Sequence, residues 1–346
     1  MGVVGAGALG FHHARLLREL PGVRFAGFYD ADAARAAHVA RELGAAPHAT
    51  YDALLDAADA LCVVVPTPAH YAVAREALLR GKHLLVEKPI TATLAEADEL
   101  LALADAAGTV VQTGHVERFN RAVRAALPYV DEPRFVESDR LAPFSLRGSD
   151  VAVVLDLMIH DIDLVRTLVG AGRAGARVDE VRATGVPVLT PTVDIASARV
   201  AFASGAVANI TASRVSRERV RKVRIFQQSG YLSLDLAAGA GEFYRVRDGV
   251  DLAAIGAGAG GSGRRPNGAT VAAGPLDLAL FVERVPLEAP EGEPLRLELE
   301  SFAAAVRGEQ PVAVTGRDGR EALAVALQIV AEIERTLPAL RGGAAA

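Results

Sequence analysis

The chain has 346 residues, 51% of them hydrophobic, and a formal net charge of -5. The length suits two domains at the usual ~100–200 residues each, and an acidic balance without a basic arm or stripe argues against a nucleic-acid partner. No apolar run reaches the roughly 18 residues of a membrane span, and no signal-peptide pattern opens the chain. The lone cysteine, Cys62, lies in an apolar run where a buried reduced thiol is expected, so the sequence reads as soluble and cytoplasmic.

The first third alternates short apolar runs with amphipathic stretches, the pattern of βαβ units in a doubly wound parallel sheet. Strands are expected at 1–4, 23–29, near 47–50, 61–65, 83–87 and 109–114. Helices are expected over 8–20, 33–43, 52–57, 69–79 and 94–106. Only residues 1–4 precede the first glycine motif, whereas a central strand usually has ~5–6 residues. Either a short strand or a start a few residues late would give this.

Beyond residue 119 the rhythm changes. A helix over 120–127 and a strand over 134–140 lead to a strong helix over 153–168. Alternating runs follow at 178–189, 195–202, 207–213, 222–228, 231–236 and 243–247, several separated by glycine turns. Successive strands of this kind imply a largely antiparallel sheet. Helices near 297–306 and 320–337 close the chain, and 253–274, rich in Gly and Ala, reads as a surface loop. The expected fold is an α/β Rossmann domain over 1–118 and an α+β domain with a large, mainly antiparallel sheet over 119–346.

Gly5-Ala6-Gly7-Ala8-Leu9-Gly10 is G-x-G-x-x-G between the first strand and the first helix. Its glycines serve a tight turn, close approach to a pyrophosphate and close helix–strand packing. The helix N-terminus offers free N–H groups to phosphate. Asp30 stands 20 residues past the last glycine, where a carboxylate accepts hydrogen bonds from the ribose of NAD and repels the 2′-phosphate of NADP. Arg35 nearby softens that preference. The alternative is a plain strand-end Asp capping the next helix.

Of the 37 basic residues only Lys82, Lys88 and Lys222 are lysine, so each invites a chemical question. Lys88, in Glu87-Lys88-Pro89, ends a strand at the edge where ligands of open α/β sheets bind. Its ammonium can stabilise alkoxide character in a reacting hydroxyl. Asp156 and His160 are four apart on a helix and so share a face. Histidine suits a general base supported by a carboxylate, although such pairs also occur as structural contacts. Asp161 and Asp163 read as capping or salt-bridge residues. Cys62 is no metal ligand, the histidines do not cluster, and no metal is expected.

These three motifs, in this order, resemble the Gfo/Idh/MocA family over nearly the whole chain. The resemblance implies NAD-dependent oxidation of a secondary hydroxyl on a sugar or cyclitol. Lys88 and His160 would be the catalytic pair, and Asp156 an orienting or substrate-binding residue. It also implies that Pro66, Thr67 and His70 form a second nucleotide-contact loop, with Glu87 and Gln112 facing the cofactor. The segment carrying Glu117, Arg118 and Asn120, and the one from Arg147 through Asp163, are similar to the branch that oxidises the 3-hydroxyl of UDP-N-acetylglucosamine. In that branch the 3-keto product passes to an aminotransferase in lipid A diamino-sugar synthesis. A diphosphate needs cations, and Arg118, Arg140, Arg147, with Arg264 or Arg265, are candidates. Family members associate, so a homodimer or homotetramer through the C-terminal sheet is expected. The rival readings are a myo-inositol or simple aldose dehydrogenase, and a non-enzymatic NAD-sensing regulator, which would not need Lys88 and His160.

Overall fold

The computed structural model describes residues 1–145, 148, 151–170, 176–247 and 281–342, with side chains to 337. Arg147, Arg264 and Arg265, and the predicted loop over 253–274, lie outside the described residues.

The N-terminal sheet is built from β1 (Gly2–Val4), β2 (Gly27–Tyr29), β3 (Ala60–Val63), β4 (His83–Glu87) and β5 (Val111–Gly114). All pairs are parallel, in the order β2-β1-β3-β4-β5. Helices α1 (Ala8–Glu19), α2 (Ala33–Leu43), α3 (Tyr51–Ala57), α4 (Thr67–Leu79) and α5 (Leu94–Ala107) connect them. Every residue of β3 is buried, as a strand covered on both faces requires. The first strand is short but pairs on both sides.

The strand expected near 47–50 does not form. Pro47 has no N–H to give a ladder, and the segment keeps one bond to the sheet, His48 N to Phe28 O at 2.8 Å. The opposite edge is covered differently. Thr113 N donates to Val314 O at 3.0 Å, and Gln112 bridges Thr315, so a late segment of the chain lies along β5.

The second sheet comprises β6 (Phe135–Leu141), β7 (Val178–Val186), β8 (Ile195–Phe202), β9 (Val207–Ser213), β10 (Val220–Gln227), β11 (Gly230–Asp235), β12 (Ala240–Val246) and β13 (Val282–Leu287). Their order is β13-β12-β11-β10-β6-β9-β8-β7, antiparallel except for the β6–β9 pair. β13 has no counterpart in the sequence reading. It is an edge strand, where its Pro286 is tolerated. Alternation sets the two faces: Val136, Ser138 and Arg140 of β6 point inward, and Phe135, Glu137 and Asp139 point outward.

The helix expected over 153–168 is two pieces. Val154–Met158 winds as a π-turn and continues as α7 (Ile159–Gly170). Short α6 (Arg121–Ala126) joins the two halves. The last helices, α8 (Pro294–Val306) and α9 (Gly316–Gly342), knit them together. Leu299, Phe302 and Ala303 of α8 share a core with Val3, Leu17, Phe28 and Leu85 of the N-terminal half. α9 gives Leu323 to the first domain's core and Ala326 and Ile329 to the second's.

Phe302 is fully buried in that shared core. Phe302→Ala should therefore cost about 3–5 kcal/mol, the usual loss for a buried aromatic. Chemical denaturation followed by a probe in the N-terminal sheet checks this, because the effect must reach that half.

Candidate active site

The glycine loop shows what each glycine is for. Gly5 has φ +91, and a Cβ there would lie 2.6 Å from Val64 O. A Cβ on Gly10 would lie 1.9 Å from Gly5 O, so the third glycine is what lets α1 seat against β1. A Cβ on Gly7 would meet nothing within 4 Å. Gly7 is also the N-cap of α1, with no side-chain cap and no acidic residue in the first turn. The first helical N–H groups, at Ala8, Leu9 and Gly10, thus face open space beside a positive dipole end. This cradle fits a pyrophosphate. Asp30, at the end of β2, accepts from Ala6 N at 2.6 Å and from Asp32 N at 2.8 Å. It braces the loop itself, and Asp32, not Asp30, caps α2. Arg35 lies 3.9 Å from Asp30.

The segment expected to form a second nucleotide loop begins α4, with Pro66 as N-cap and Thr67 first in the helix. His70 is buried, its Nδ1 2.8 Å from Pro89 O and its Nε2 2.9 Å from Val65 O. Burial lowers its pKa despite those carbonyls. Neutral, the ring donates to one of these two carbonyls, and both its nitrogens face the backbone beyond β3 and β4. Gln112 departs from expectation too: it is fully buried, with Nε2 3.4 Å from Glu298 O.

Lys88 follows β4 directly, through a cis bond to Pro89. Its Nζ donates to Asp156 O at 2.6 Å and lies 3.5 Å from Asp156 Oδ1. Burial lowers the Lys88 pKa, and Asp156 and Glu87 work against that. Glu87 accepts from Lys88 N at 3.2 Å, and its Oε1 lies 3.1 Å from His13 Nε2. Burial disfavours the Glu87 carboxylate, but the His13 hydrogen bond and Lys88 hold its pKa below the usual value. One turn beyond Asp156, His160 is partly exposed, and its Nδ1 has no protein partner. Burial, then Lys88, Arg140, His115 and Arg221, push its pKa well below the ordinary range, so the imidazole is neutral at pH 7. The structure thus gathers Lys88, Asp156 and His160 at the carboxyl ends of the parallel strands.

The predicted phosphate cations are placed otherwise. Arg118 forks onto Asp163 with bonds of 2.8 and 2.5 Å. Arg140 forks onto Asp161 at 2.6 and 3.1 Å and donates to Glu117 at 2.9 Å. Asn120 caps α6 through Ala122 N and donates to Glu117 and to Leu236 O. Glu117, Arg118, Asn120 and Arg140, expected at the substrate, are therefore bound into the protein by internal partners. Asp161 and Asp163 are ion-pair residues, as the sequence indicated.

Three groups escaped the sequence reading. Arg221, on β10, pairs in register with Arg140 and reaches Glu117 at 3.5 Å, with its side chain 40% exposed. His115 is fully buried beside His160. Glu298, on α8, is fully buried with neither carboxyl oxygen bonded. Burial pushes its pKa well above the usual value, with Glu87 and Asp163 adding to the effect. The only signal for Arg221 was the crowding of Arg217, Arg219 and Arg221 before a strand.

Comparison with known proteins decides the family. Residues 1–115 match the description "Oxidoreductase family, NAD-binding Rossmann fold", and residues 132–233 match "GFO/IDH/MocA C-terminal domain". The chain belongs to the Gfo/Idh/MocA oxidoreductases. It is 37% identical over 341 residues, 97% of each chain, to UDP-N-acetylglucosamine 3-dehydrogenase of Acidithiobacillus ferrooxidans. A solved structure of that enzyme superposes with TM-score 0.83 and 36% identity, covering 97% of each chain. A scyllo-inositol 2-dehydrogenase (NAD(+)) of Bacillus subtilis is 30% identical over 62% of this chain and 67% of its own. As a Gfo/Idh/MocA member, this protein is an NAD-binding oxidoreductase, and the empty side of Gly7 agrees with that cofactor.

Gly7→Ala should leave the melting temperature unchanged and weaken NAD binding, because its methyl group fills the cradle. Gly10→Ala should lower the melting temperature, because its methyl group collides with Gly5 O. Calorimetric titration with NAD and a thermal melt on both variants separate the two effects.

Proposed function

We propose that this oxidoreductase removes hydrogen from the 3-hydroxyl of UDP-N-acetylglucosamine. The observation that carries the reading is a neutral His160 beside Lys88 in a chain similar along its length to an enzyme named for that reaction. NAD, when bound, supplies the hydride acceptor. Gly5, Gly7, Ala8, Leu9 and Gly10 hold its pyrophosphate, and Asp30 meets its adenine ribose. His160 takes the hydroxyl proton, Lys88 steadies the negative charge developing on that oxygen, and Asp156 keeps Lys88 in place. A carboxylate at Asp30 favours NAD over NADP.

Arg221 is our candidate for the substrate diphosphate. Arg140 opposite it is fully engaged, whereas Arg221 has one 3.5 Å contact to Glu117 and a side chain 40% exposed. Like charges directly across a strand pair repel, and an anion between them and solvent relieves that. The 3-keto product suits an aminotransferase as consumer. We also assign self-association to the outer face of the second sheet, where Phe135, Phe226, Tyr231 and Tyr244 stack in a row with centroids 5.6, 5.6 and 4.7 Å apart. Among the described residues no helix is long and apolar enough to cross a membrane. A cytoplasmic site fits the buried Cys62 thiol, whose pKa burial raises.

NADH formation should appear with UDP-N-acetylglucosamine and a keto-sugar trap, and not with free N-acetylglucosamine, myo-inositol or glucose. Arg221→Met should raise KM for the UDP-sugar about tenfold to a hundredfold, the worth of a hydrogen bond to a charged group, with little change in Tm. Turnover on a free polyol alone would instead support the inositol reading.

Because the His160 pKa sits below the ordinary 6.5, its base form persists as pH falls through that value. Activity should decline only at lower pH, and His160→Ala should lose roughly 10²–10⁴ in kcat while still binding NAD. A pH–rate profile with an acid limb at or above 6.5 would contradict the assignment.

A further inference from the structure

The β8–β9 ladder ends with Ile195 opposite Ser213, so the flanking residues, Asp194 and Arg214, face each other just past it. Arg214 N donates to Asp194 O at 3.0 Å. Asp194 is 0% and Arg214 3% exposed, and Arg214 Nε lies 3.4 Å from Asp194 Oδ1. The Asp194 carboxylate is itself held in place. It accepts from the backbone N–H groups of Val188, Leu189 and Thr190 at 2.8, 2.6 and 2.9 Å, and from Thr190 Oγ1 at 2.8 Å. Arg214 is therefore anchored at its base, and its planar fork is left to bind elsewhere.

That fork meets backbone carbonyls beside the reacting groups. Nη1 donates to Gly148 O, and Nη2 donates to Val151 O and to Val193 O, the last at 3.1 Å. Val151 O also accepts from Thr192 Oγ1 at 3.2 Å. The next residue opens the π-turn: Ala152 O accepts from Leu155 N at 3.0 Å and from Asp156 N at 3.2 Å. Gly148 lies on the Asp156 carboxylate. Its φ is +74, and a Cβ there would be 2.7 Å from Asp156 Oδ2. Asp156 is thus bounded on two sides, with Lys88 Nζ 3.5 Å from Oδ1 and the α-carbon of Gly148 against Oδ2. A buried ion pair adds little stability over apolar packing, yet it fixes positions, because breaking it leaves a lone charge.

We propose that Arg214 is a positioning residue for the oxidation: through Gly148 and Val151 it holds the Asp156 carboxylate against Lys88. The proposal rests on the reading of Lys88 as the group that steadies the reacting oxygen. Each link is a contact in the structure. Asp194 fixes Arg214, Arg214 fixes the two carbonyls, Gly148 confines Asp156, and Asp156 pairs with Lys88. Lys88 reports on the last link. Burial and Arg140 disfavour its charge, Asp156 and Glu87 favour it, and the His115 and His160 rings lie near enough to feel it. When the carboxylate swings away, the ammonium loses a supporting charge and its pKa falls further. Stabilising an alkoxide needs the charged form, so the basic limb of the pH–rate profile moves down with it.

Lysine ¹³Cε spectra of the full chain follow Lys88 directly, since Lys82, Lys88 and Lys222 are its only lysines. Lys88→Met identifies the signal. In Arg214→Met the Lys88 titration should move to lower pH by about one unit or more, the usual effect of losing an adjacent opposite charge. Removing the guanidinium charge by itself would move it the other way. With NAD, UDP-N-acetylglucosamine and a keto-sugar trap, kcat should fall on the order of a hundredfold, as when a reacting group is displaced by a remote change. The basic limb should shift likewise, and the Kd for NAD should stay that of the wild type. A folded Arg214→Met with the wild-type Lys88 titration and basic limb would reduce Arg214 to packing and overturn the proposal. Gly148→Ala is the second route. It leaves the Arg214–Asp194 pair intact, and its methyl group meets Asp156 Oδ2. It should lower the Lys88 titration in the same way, and an unmoved titration would overturn the proposal even where Arg214→Met does not fold. Full turnover by Lys88→Met would overturn it from the other end, by refuting Lys88 as the stabilising group, whatever the spectra show at Arg214.

Discussion

One ammonium group holds the site together. Lys88 stands at the end of a strand in the first domain; it donates to the carbonyl of Asp156, in the π-turn of the second, and pairs with that residue's carboxylate. Bringing a lysine this far out of water disfavours its charge. The contact persists because Asp156 and Glu87 offset that cost. Remove the link, and Asp156, one turn before His160, loses its polar contact with the end of β4. The site is thus a seam between two sheets, and its geometry is set by how they dock.

Around the seam the protein divides its cations into two groups. Arg118 and Arg140 are sealed into ion pairs with Asp163, Asp161 and Glu117, all buried. Such pairs add little net stability over an apolar core, but breaking one leaves an uncompensated charge, so they fix relative positions firmly. Arg140 on β6, Asp161 on α7 and Glu117 after β5 come from three separate elements, and only one arrangement satisfies all three. Arg221 lies outside this closed set, and its exposure is what makes it available to a ligand.

The parts legible in the sequence were those whose chemistry is local. The glycine loop, Asp30, Lys88 at its strand end and the Asp156–His160 spacing declare themselves within a few neighbouring residues. The arginines could not be sorted that way. Whether Arg140 meets solvent or Asp161 depends on a helix about twenty residues further on. Lone residues were equally silent: His115 and Glu298 gain meaning only from the rings and carboxylates that other segments bring near. The absent strand at 47–50 and the unforeseen β13 share a cause. An edge strand needs few ladder bonds, so composition is a poor guide to whether one forms.

The return of α8 to the first sheet bears on how the chain is made. Domains generally begin folding in order as they leave the ribosome. Here Val3, Leu17, Phe28 and Leu85 await Leu299 and Phe302, so one flank of the nucleotide-binding half stays bare until the last fifth of the chain has been synthesised. A chain stopped before that point would leave this apolar surface exposed to chaperones and proteases.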